Sequence, residues 1–373
     1  MTGTSAEYDV AVLGGGPAGC ATAVALRRRG VGRVLVVERE LDAVRIGESI
    51  PPESRLLLEQ LGLWSAFTAD GHEPCLGSCS VWGGDAPGYN DFLFNPHGTG
   101  WHLDRSRFDA LLARAASEAG AELRVGCRFD AAQRDAGGFV LRLTTRAGAA
   151  VVRARFVVDA TGSRARFATA VGARRHLHDR LSCAAAVLAL PAASSFSRLT
   201  MLEAVEGGWW YAARLLGARA AVAVASDPEY LTQRALHTRE GWLAELARTT
   251  HLSPALAGCT FADDAIVVRT APSSLLDPVA GEGWLAVGDA ASAYDPISSQ
   301  GIYKALLDAL EAAKILAARV HGEDRDVAPY EAAVAARFAD YLANRNYFYD
   351  AERRWPDAAF WRRRREPRPA ACG

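Results

Sequence analysis

A glycine-rich segment near the N-terminus has the residue types and the spacing that bind a dinucleotide. Gly14, Gly16 and Gly19 fit the pattern Gly-x-Gly-x-x-Gly, with Ala18 inside it, between an apolar run and an alanine-rich one. In such a loop the first glycine permits the tight turn, the second lets the backbone approach a pyrophosphate, and the third allows close helix–strand packing. The N–H groups of the following helix then attract the phosphates.

An acidic residue follows at the distance that this kind of site requires. Glu38 ends the next apolar run, 19 residues after Gly19, where a carboxylate accepts hydrogen bonds from ribose hydroxyls. Arg39 lies next to it and is a further candidate contact. Strand, helix and acid together predict dinucleotide binding, but they do not distinguish FAD from NAD.

Three later segments make that distinction. Asp159–Gly162, Val287–Ala291 and Asp295–Ile302 each follow an apolar or turn-forming stretch, and they occur in this order along the chain. Together with the glycine segment they resemble the fingerprints of FAD-dependent monooxygenases of the aromatic hydroxylase and halogenase superfamily.

The resemblance implies FAD as the cofactor and assigns further contacts to it. Asp289 would hold the ribityl chain, and Pro296, Gly301 and Ile302 would place a helix N-terminus at the flavin pyrimidine. A helix N-terminus stabilises the negative charge that reduced flavin carries there.

Shorter matches indicate one branch of this superfamily. Ile46–Pro52, which contains Glu48 and Ser49, is similar to the Gly-Glu-Ser-x-x-Pro segment of the halogenase-like branch that runs close to the flavin. Trp101–Asp109 is similar to the segment whose arginine, here Arg105, approaches the cofactor. The C-terminal segment 352–363 resembles that of flavoprotein maturases that hydroxylate protein-borne tryptophan to make quinone cofactors.

The lysines bear on which chemistry the flavin performs. Halogenases of this superfamily use a lysine, downstream of the Gly-Glu-Ser-x-x-Pro element, to deliver hypohalous acid. The chain has two lysines, Lys304 and Lys314, so no lysine lies in the first 303 residues. The resemblance then implies hydroxylation of an indole or phenol, possible also on a peptide- or carrier-bound tryptophan, through a C4a-hydroperoxyflavin.

Polar and aromatic residues that could serve this reaction are identifiable, although spacing favours none of them. Candidate catalytic groups are Asp295, Glu48 and His102, with Glu203 as another polar group of the pocket. Asp295 has the most favourable position, because it directly precedes Pro296 at the flavin face. Trp209 and Tyr211 alternate along a predicted strand and would share one face, either as the wall of an aromatic substrate pocket or as core.

Three alternatives stay open: an atypical halogenase, a flavin reductase of the geranylgeranyl-reductase type, and a flavin-bound maturation partner that binds a protein without turnover. No second Gly-x-Gly-x-x-Gly follows. Reducing equivalents would therefore come from NAD(P)H directly or through a separate flavin reductase, with O₂ as co-substrate.

The predicted elements form an α/β protein with a Rossmann-like FAD/NAD(P)-binding domain of the aromatic hydroxylase type. Helices are expected over 105–120, 228–250, 298–320 and 327–349. The FAD-binding domain would comprise 1–74, 101–180 and 265–322, and an inserted β-rich substrate domain 75–100 and 181–264. A C-terminal helix and an arginine-rich tail would occupy 323–373, with Arg362–Arg365 either solvated or docking an acidic protein or carrier substrate.

Composition excludes several classes of protein. Of 373 residues 50% are hydrophobic, and the formal charge is -1, which argues against a disordered chain and a nucleic-acid binder. No apolar run approaches the roughly 20 residues of a membrane span. The seven cysteines lack the spacing of a metal or disulfide framework, so we expect no metal and a cytoplasmic protein.

Overall fold

The computed structural model describes residues 6–40, 49–263 and 265–365. In these ranges the helices are α1 Pro17–Arg28, α2 Ser54–Gln60, α3 Trp64–Ala69, α4 Arg105–Glu118, α5 Arg166–Ala170, α6 Pro228–Gln233, α7 Arg239–Leu246, α8 Leu252–Ala255, α9 Gly301–Val320, α10 Ala328–Ala351 and α11 Ala359–Arg365. None of them is both long enough and apolar enough to cross a bilayer.

The strands of the same ranges vary in length from two residues to twelve. They are β1 Ala6–Leu13, β2 Val34–Glu38, β3 Ser49–Ile50, β4 Glu73–Cys75, β5 Gly77–Val81, β6 Gly88–Asp91, β7 Gly100–His102, β8 Glu122–Val125, β9 Arg128–Asp135, β10 Gly138–Thr145, β11 Gly148–Asp159, β12 Arg174–Leu177, β13 Ser182–Ala189, β14 Thr200–Val205, β15 Gly208–Leu215, β16 Arg219–Ser226, β17 Thr260–Phe261, β18 Val267–Thr270, β19 Ser274–Asp277, β20 Ala280–Gly281, β21 Trp284–Ala286 and β22 Ser292–Ala293.

A parallel sheet carries the glycine segment. Its order is β20-β21-β11-β1-β2-β8, and β21, β11, β1, β2 and β8 run parallel, with β10 and β9 added through β11. Val10–Leu13 of β1 and Val34–Val37 of β2 are buried apolar residues, as strands covered on both faces require. Helix α1 packs on this sheet and against α9, through alanine-rich helix faces that allow close approach. The predicted α/β architecture is confirmed.

A second sheet is mostly antiparallel, with the order β17-β13-β16-β15-β14-β5-β6. One face packs against α7 and the other against α10 and α11. Two three-stranded sheets, β12-β19-β22 and β3-β7-β4, lie beside the larger ones. The domain boundaries given above stay a prediction.

The helix predicted over 228–250 is two helices, α6 and α7. Ala235 lies between them with φ +50, a left-handed conformation that no helix interior contains. Thr238 then caps the second helix, since its side chain accepts a hydrogen bond from the Gly241 N–H. No glycine or proline marks this break in the sequence, since residues 234–238 are Arg-Ala-Leu-His-Thr.

Candidate cofactor and substrate site

The loop between β1 and α1 has the backbone that its glycines predict. Gly14 has φ +115, and a Cβ there would lie 2.1 Å from the Ala160 carbonyl oxygen. A Cβ on Gly19 would lie 1.8 Å from the Gly14 carbonyl oxygen, so both positions are closed to larger residues. Gly16 differs: it caps α1 with φ -76 and ψ -173, an extended conformation that any residue adopts, and no side chain caps the helix. The first amides of α1 therefore face the loop without a side-chain partner at the cap.

Glu38 lies over this loop at the end of β2. Its Oε2 accepts a hydrogen bond from the Gly15 N–H at 2.6 Å, and its Oε1 accepts one from the Glu40 N–H at 2.9 Å. Arg39 is exposed. The carboxylate is thus held at the carboxyl edge of the sheet, beside the glycines.

The turn after β21 brings a second acid to the same edge. Gly288 has φ +61 and donates its N–H to Asp308 at 3.0 Å, while Arg175 donates to the carbonyl oxygens of Asp289 and Ala290. Asp289 is accessible to solvent, yet burial by surrounding protein raises its carboxyl pKa. A group with both properties lies deep in a cleft.

Positive charges surround this cleft. Lys304, Arg175 and Arg105 each lower the pKa of Asp289 and so oppose the effect of its burial. Arg105 lies at the start of α4, where it pairs with Asp109 at 3.3 Å, and its side chain is 12% exposed. It is therefore a largely buried charge close to Asp289, and the predicted helix-start arginine does lie near the predicted ribityl contact.

Asp295 precedes the turn Pro296–Ser298 and is fully buried. Its Oδ1 accepts the Ile297 N–H at 3.0 Å, and its Oδ2 accepts the Tyr349 hydroxyl at 2.7 Å and lies 3.4 Å from Arg345 Nε. Burial raises the carboxyl pKa, and the Arg345 guanidinium counteracts that rise. Because both carboxylate oxygens are engaged, these contacts fit a group that fixes the turn better than a free base.

Helix α9 begins directly after this turn. Pro296 is exposed, and the space where a Cβ on Gly301 would lie is open. Ile302 is buried and anchors the first turn of the helix in the core. A third loop at the same sheet edge is held by Asp159, whose carboxylate accepts hydrogen bonds from Thr161 and from the Ala168 N–H.

Trp209 and Tyr211 lie on one face of the second sheet, whereas Trp210 lies on the other, against Trp242. Of the two roles considered for these residues, the structure favours core for Trp209. Trp209 is 2% exposed and donates its indole N–H to the Tyr349 hydroxyl at 3.0 Å, so it is packed in a closed cluster and not on an open wall. Tyr211 stays partly accessible.

That cluster, called here the C-terminal cluster, is closed by the end of the chain. Phe360 and Trp361 of α11 pack against Trp209 and Tyr349, and Trp361 donates its indole N–H to the Val205 carbonyl oxygen. Ile297, from the turn after Asp295, contacts the same cluster.

Arg362–Arg365 is solvated only in part, since Arg362 and Arg363 are exposed whereas Arg364 is buried. Arg364 is 8% exposed and donates to Asp227 at 2.9 Å, and Arg363 donates to the other oxygen of the same carboxylate. A cavity of about 590 Å³ with charged walls of both signs lies beside these residues and Arg345. The run fixes α11 to the second sheet, a role that its sequence alone did not suggest.

A partly buried chain of hydrogen bonds joins Ser49, in the segment predicted to run close to the flavin, to Tyr211 and His102. Tyr211 Oη lies 2.9 Å from Ser49 Oγ, which lies 3.0 Å from Thr200 Oγ1, which lies 2.9 Å from His102 Nε2. His102 is fully buried, and burial lowers its pKa from 6.5 to about 4. It is therefore neutral at physiological pH, so the catalytic role considered for it cannot rest on a charged imidazole.

This histidine gives a prediction about stability. Between pH 6.5 and about 4 the unfolded chain binds a proton at this residue and the folded chain does not, so stability falls as the pH falls through that window. His102→Asn should lose this part of the acid sensitivity, on the order of 3 kcal/mol. Urea unfolding at neutral and acidic pH measures it, with the exposed His237→Asn as control. An unchanged acid dependence in His102→Asn would contradict the assignment.

The remaining candidates separate clearly. Glu203 accepts the N–H groups of Thr250, His251 and Leu252, so it caps α8 and is a structural group. Glu48 lies outside the described residues. In those residues no group of His, Cys, Asp or Glu is arranged to hold a metal ion.

Sequence reasoning missed three residues that contact the candidate site: Thr200, Arg345 and Tyr349. Each forms its contact with a residue far along the chain, as in the pair Tyr349–Asp295, and none belongs to a motif. One signal was present in the sequence, for two of them: Arg345 and Tyr349 are spaced four residues apart on a predicted helix and so share a face.

Known proteins resemble the chain over nearly its whole length. LodB of Marinomonas mediterranea, which carries the name FAD-dependent oxidoreductase, is 30% identical over 361 residues, 96% of this chain and 97% of LodB. The myxobacterial chondrochloren halogenase CndH superimposes with a TM-score of 0.84 at 26% identity, covering 97% of this chain and 86% of CndH. The peptidyl tryptophan dihydroxylase QhpG superimposes with a TM-score of 0.69 at 27% identity, covering 96% and 79%.

The family follows from the match of one segment that spans most of the chain. Residues 7–340 match the FAD binding domain family, and that segment includes the glycine loop, Glu38, Asp289 and the turn before α9. The loop backbone, the open start of α9 and the positively charged cleft are all features that fit FAD. The chain therefore belongs to the FAD binding domain family and is an FAD-dependent oxidoreductase.

Proposed function

We propose that this protein is an FAD-dependent monooxygenase that hydroxylates an electron-rich aromatic ring, an indole or a phenol. A tryptophan in a peptide or on a carrier is the substrate that the similarity to QhpG favours. The reaction adds O₂, two electrons and two protons to an aromatic C–H, and gives the hydroxylated ring and water. NAD(P)H, directly or through a separate reductase, supplies the electrons.

The burial and pairing of the Lys304 side chain are the observations that support hydroxylation over halogenation. Its side chain is 3% exposed, its Nζ lies 3.3 Å from Asp308 Oδ2, and it lies over the ring of Tyr294. A lysine that delivers hypohalous acid has to reach the substrate, and this one is fixed inside the packing around α9. Lys314, the other lysine, is exposed near the far end of α9. Neither supports halogenation.

The residues that would hold FAD follow from the cleft described above. The loop of Gly14, Gly16, Ala18 and Gly19 would hold the pyrophosphate. Glu38, with Arg39 adjacent, would bind the adenosine ribose.

The ribityl chain and the flavin ring would lie further along the same sheet edge. Asp289 would bind the ribityl chain, with Arg105 close by. Ser49, Pro296, Gly301 and Ile302 would flank the ring. When bound, FAD supplies the two-electron activation of O₂.

The protein's own groups would exclude water and hold the ring. The C-terminal cluster closes one face of the second sheet beside Ile297, and an apolar enclosure favours oxygen transfer over loss of the oxidant to water. Asp295 would fix the turn beside the flavin through Ile297 and Tyr349. Tyr211 is the partly accessible polar group on this face.

Product analysis tests the proposal. FAD-loaded protein is given NADH, a flavin reductase, O₂ and a tryptophan-containing peptide, in parallel buffers with chloride, with bromide and with neither. We expect an oxygenated peptide in all three buffers and no halogenated one. A halogenated peptide that forms only in the buffers with halide would show that the reaction is halogenation. Halogenation is the second candidate function, which the similarity to CndH favours. Turnover that reduces a substrate without O₂ would instead indicate a reductase.

A further inference from the structure

The C-terminal cluster gathers four of the nine tryptophans of the chain. They are Trp82, Trp209, Trp355 and Trp361, which lie in the cluster or pack against it around Tyr349. Tryptophan and tyrosine are the aromatic side chains that release one electron to a strong oxidant, whereas phenylalanine does not. A group of them beside the turn assigned to the flavin can therefore conduct electrons as well as pack.

The rings form a continuous path from this turn to the surface. Tyr349 is fully buried, and its ring centroid lies 5.8 Å from that of Trp361 and 6.0 Å from that of Trp82. The centroids of Trp361 and Trp82 are 5.3 Å apart. Trp82 is partly exposed and donates its indole N–H to the Phe348 carbonyl oxygen at 2.6 Å. Every step joins rings at the roughly 4.5–7 Å of direct aromatic contact.

The inner end of the path is arranged for the loss of an electron together with a proton. The Tyr349 hydroxyl accepts the Trp209 N–H at 3.0 Å and donates its own hydrogen to Asp295 Oδ2 at 2.7 Å. The Cζ atoms of Arg345 and Arg364 lie 4.6 and 5.5 Å from the ring centroid, so they oppose a positive charge on the ring. Oxidation of this tyrosine therefore has to release the hydroxyl proton, which Asp295 is placed to accept. Burial raises the pKa of the Asp295 carboxyl, the direction that favours this transfer.

The outer end of the path favours Trp82 over Trp355. Both are partly exposed neighbours of Trp361, from which Trp355 is 6.2 Å away. The Arg354 guanidinium lies over Trp355, 4.4 Å from the ring centroid, and opposes a positive charge on that indole. The N–H of Trp82 is instead bonded to a carbonyl oxygen, which stabilises such a charge. Trp82 is therefore the end of the path at the surface.

We propose that Tyr349, Trp361 and Trp82 conduct single electrons from the protein surface to FAD. Oxidised FAD excited by blue light takes one electron from Tyr349, and the hydroxyl proton passes to Asp295. The tyrosyl radical then takes one electron from Trp82, directly or through Trp361, and recovers the proton. Trp82, now oxidised by one electron, is reduced again by a soluble donor such as ascorbate. The inference rests on the flavin position in the proposed function, and it adds a route by which a donor that never enters the site reduces FAD.

Laser flash spectroscopy of oxidised FAD-loaded protein, without air and without substrate, tests the inference. Wild type should show flavin reduction together with a tryptophan radical, and ascorbate should shorten the lifetime of that radical. Trp82→Phe keeps a ring in the packing and should lose the response to ascorbate. Tyr349→Phe has no proton to give to Asp295 and should lose the radical. Trp355→Phe, at the other partly exposed tryptophan, should behave as wild type.

A buried control separates the path from packing in general. Trp242 is as buried as Trp361 but packs on the other face of the second sheet, so Trp242→Phe should also behave as wild type. Circular dichroism and flavin content report folding. If Tyr349→Phe does not fold, the comparison of Trp82→Phe with Trp355→Phe decides the question.

Two results would overturn the inference: no tryptophan radical in wild type, or a response to ascorbate in Trp82→Phe equal to that of wild type. Its failure is distinguishable from failure of the proposed function, because the flash experiment needs no substrate. Hydroxylation of a peptide by a protein that forms no radical leaves the proposed function standing and the inference wrong. The radical without hydroxylation has the opposite meaning.

Discussion

Gly16→Val should yield a folded protein that has lost FAD. Gly16 has φ -76 and ψ -173, so valine fits its backbone, and the β1–α1 packing depends on Gly14 and Gly19 instead. A side chain at this position would fill the space through which the loop amides approach a pyrophosphate. We expect FAD binding to weaken at least about a hundredfold, equivalent to about 3 kcal/mol. Flavin absorbance per protein after gel filtration, with circular dichroism for folding, measures both parts.

Two comparisons make this result specific. Gly84→Val, at a glycine with open space around it, should keep its flavin. Gly14→Val should lose the β1–α1 turn itself and not only FAD. At Gly14 the φ of +115 and the Ala160 carbonyl oxygen leave no room for a Cβ. A yellow Gly16→Val protein at full occupancy would show that the loop does not hold the pyrophosphate.

Arg345→Met should destabilise the protein by about 3–5 kcal/mol, the usual cost of leaving a buried charge unpaired. Arg345 is 5% exposed and pairs with Asp179 at 2.9 Å and with Asp295 at 3.4 Å. Without it, burial would raise the pKa of the Asp295 carboxyl further. When the pKa of a carboxyl is higher in the folded protein than in the unfolded chain, folding is favoured at low pH, where the carboxyl is protonated. This contribution is lost as the pH rises, so the loss of stability in Arg345→Met should be larger at neutral than at acidic pH.

Chemical unfolding across pH measures this effect. Arg55→Met removes an exposed pair with Glu59 and should change stability by less than about 0.5 kcal/mol. Adding Asp295→Asn to Arg345→Met should recover part of the loss, because one of the two unpaired charges is gone. A loss in Arg345→Met no larger than in Arg55→Met would mean that this pair does not hold the turn before α9.

The FAD-binding part of the candidate site could be predicted from the sequence, because its sequence patterns are local. Gly14 needs a positive φ and Gly19 a close approach, and glycine is the residue that meets either demand. Asp289 likewise follows a short buried strand and a glycine within a few residues. Such patterns depend on neighbours along the chain, which a single sequence displays.

The substrate part of the candidate site could not be predicted in the same way, since it depends on contacts between residues that are far apart in the sequence. Trp209 was as consistent with a pocket wall as with core until Tyr349, 140 residues later, supplied its hydrogen-bond partner. Asp295 suggested a base by its position, and only the fold shows that Tyr349 and Arg345 occupy its carboxylate. Arg362–Arg365 suggested solvent because its acidic partner, Asp227, lies more than 130 residues earlier in the chain.

A single turnover with isotopically labelled oxygen tests the central claim most directly. The bound FAD is reduced anaerobically and a tryptophan-containing peptide is added. Labelled O₂ is then admitted, and the mass of the peptide is measured by mass spectrometry. The account predicts labelled oxygen in the indole ring of the peptide, in proportion to the reduced FAD consumed. An unchanged peptide, with hydrogen peroxide as the product of all the oxygen consumed, would contradict it.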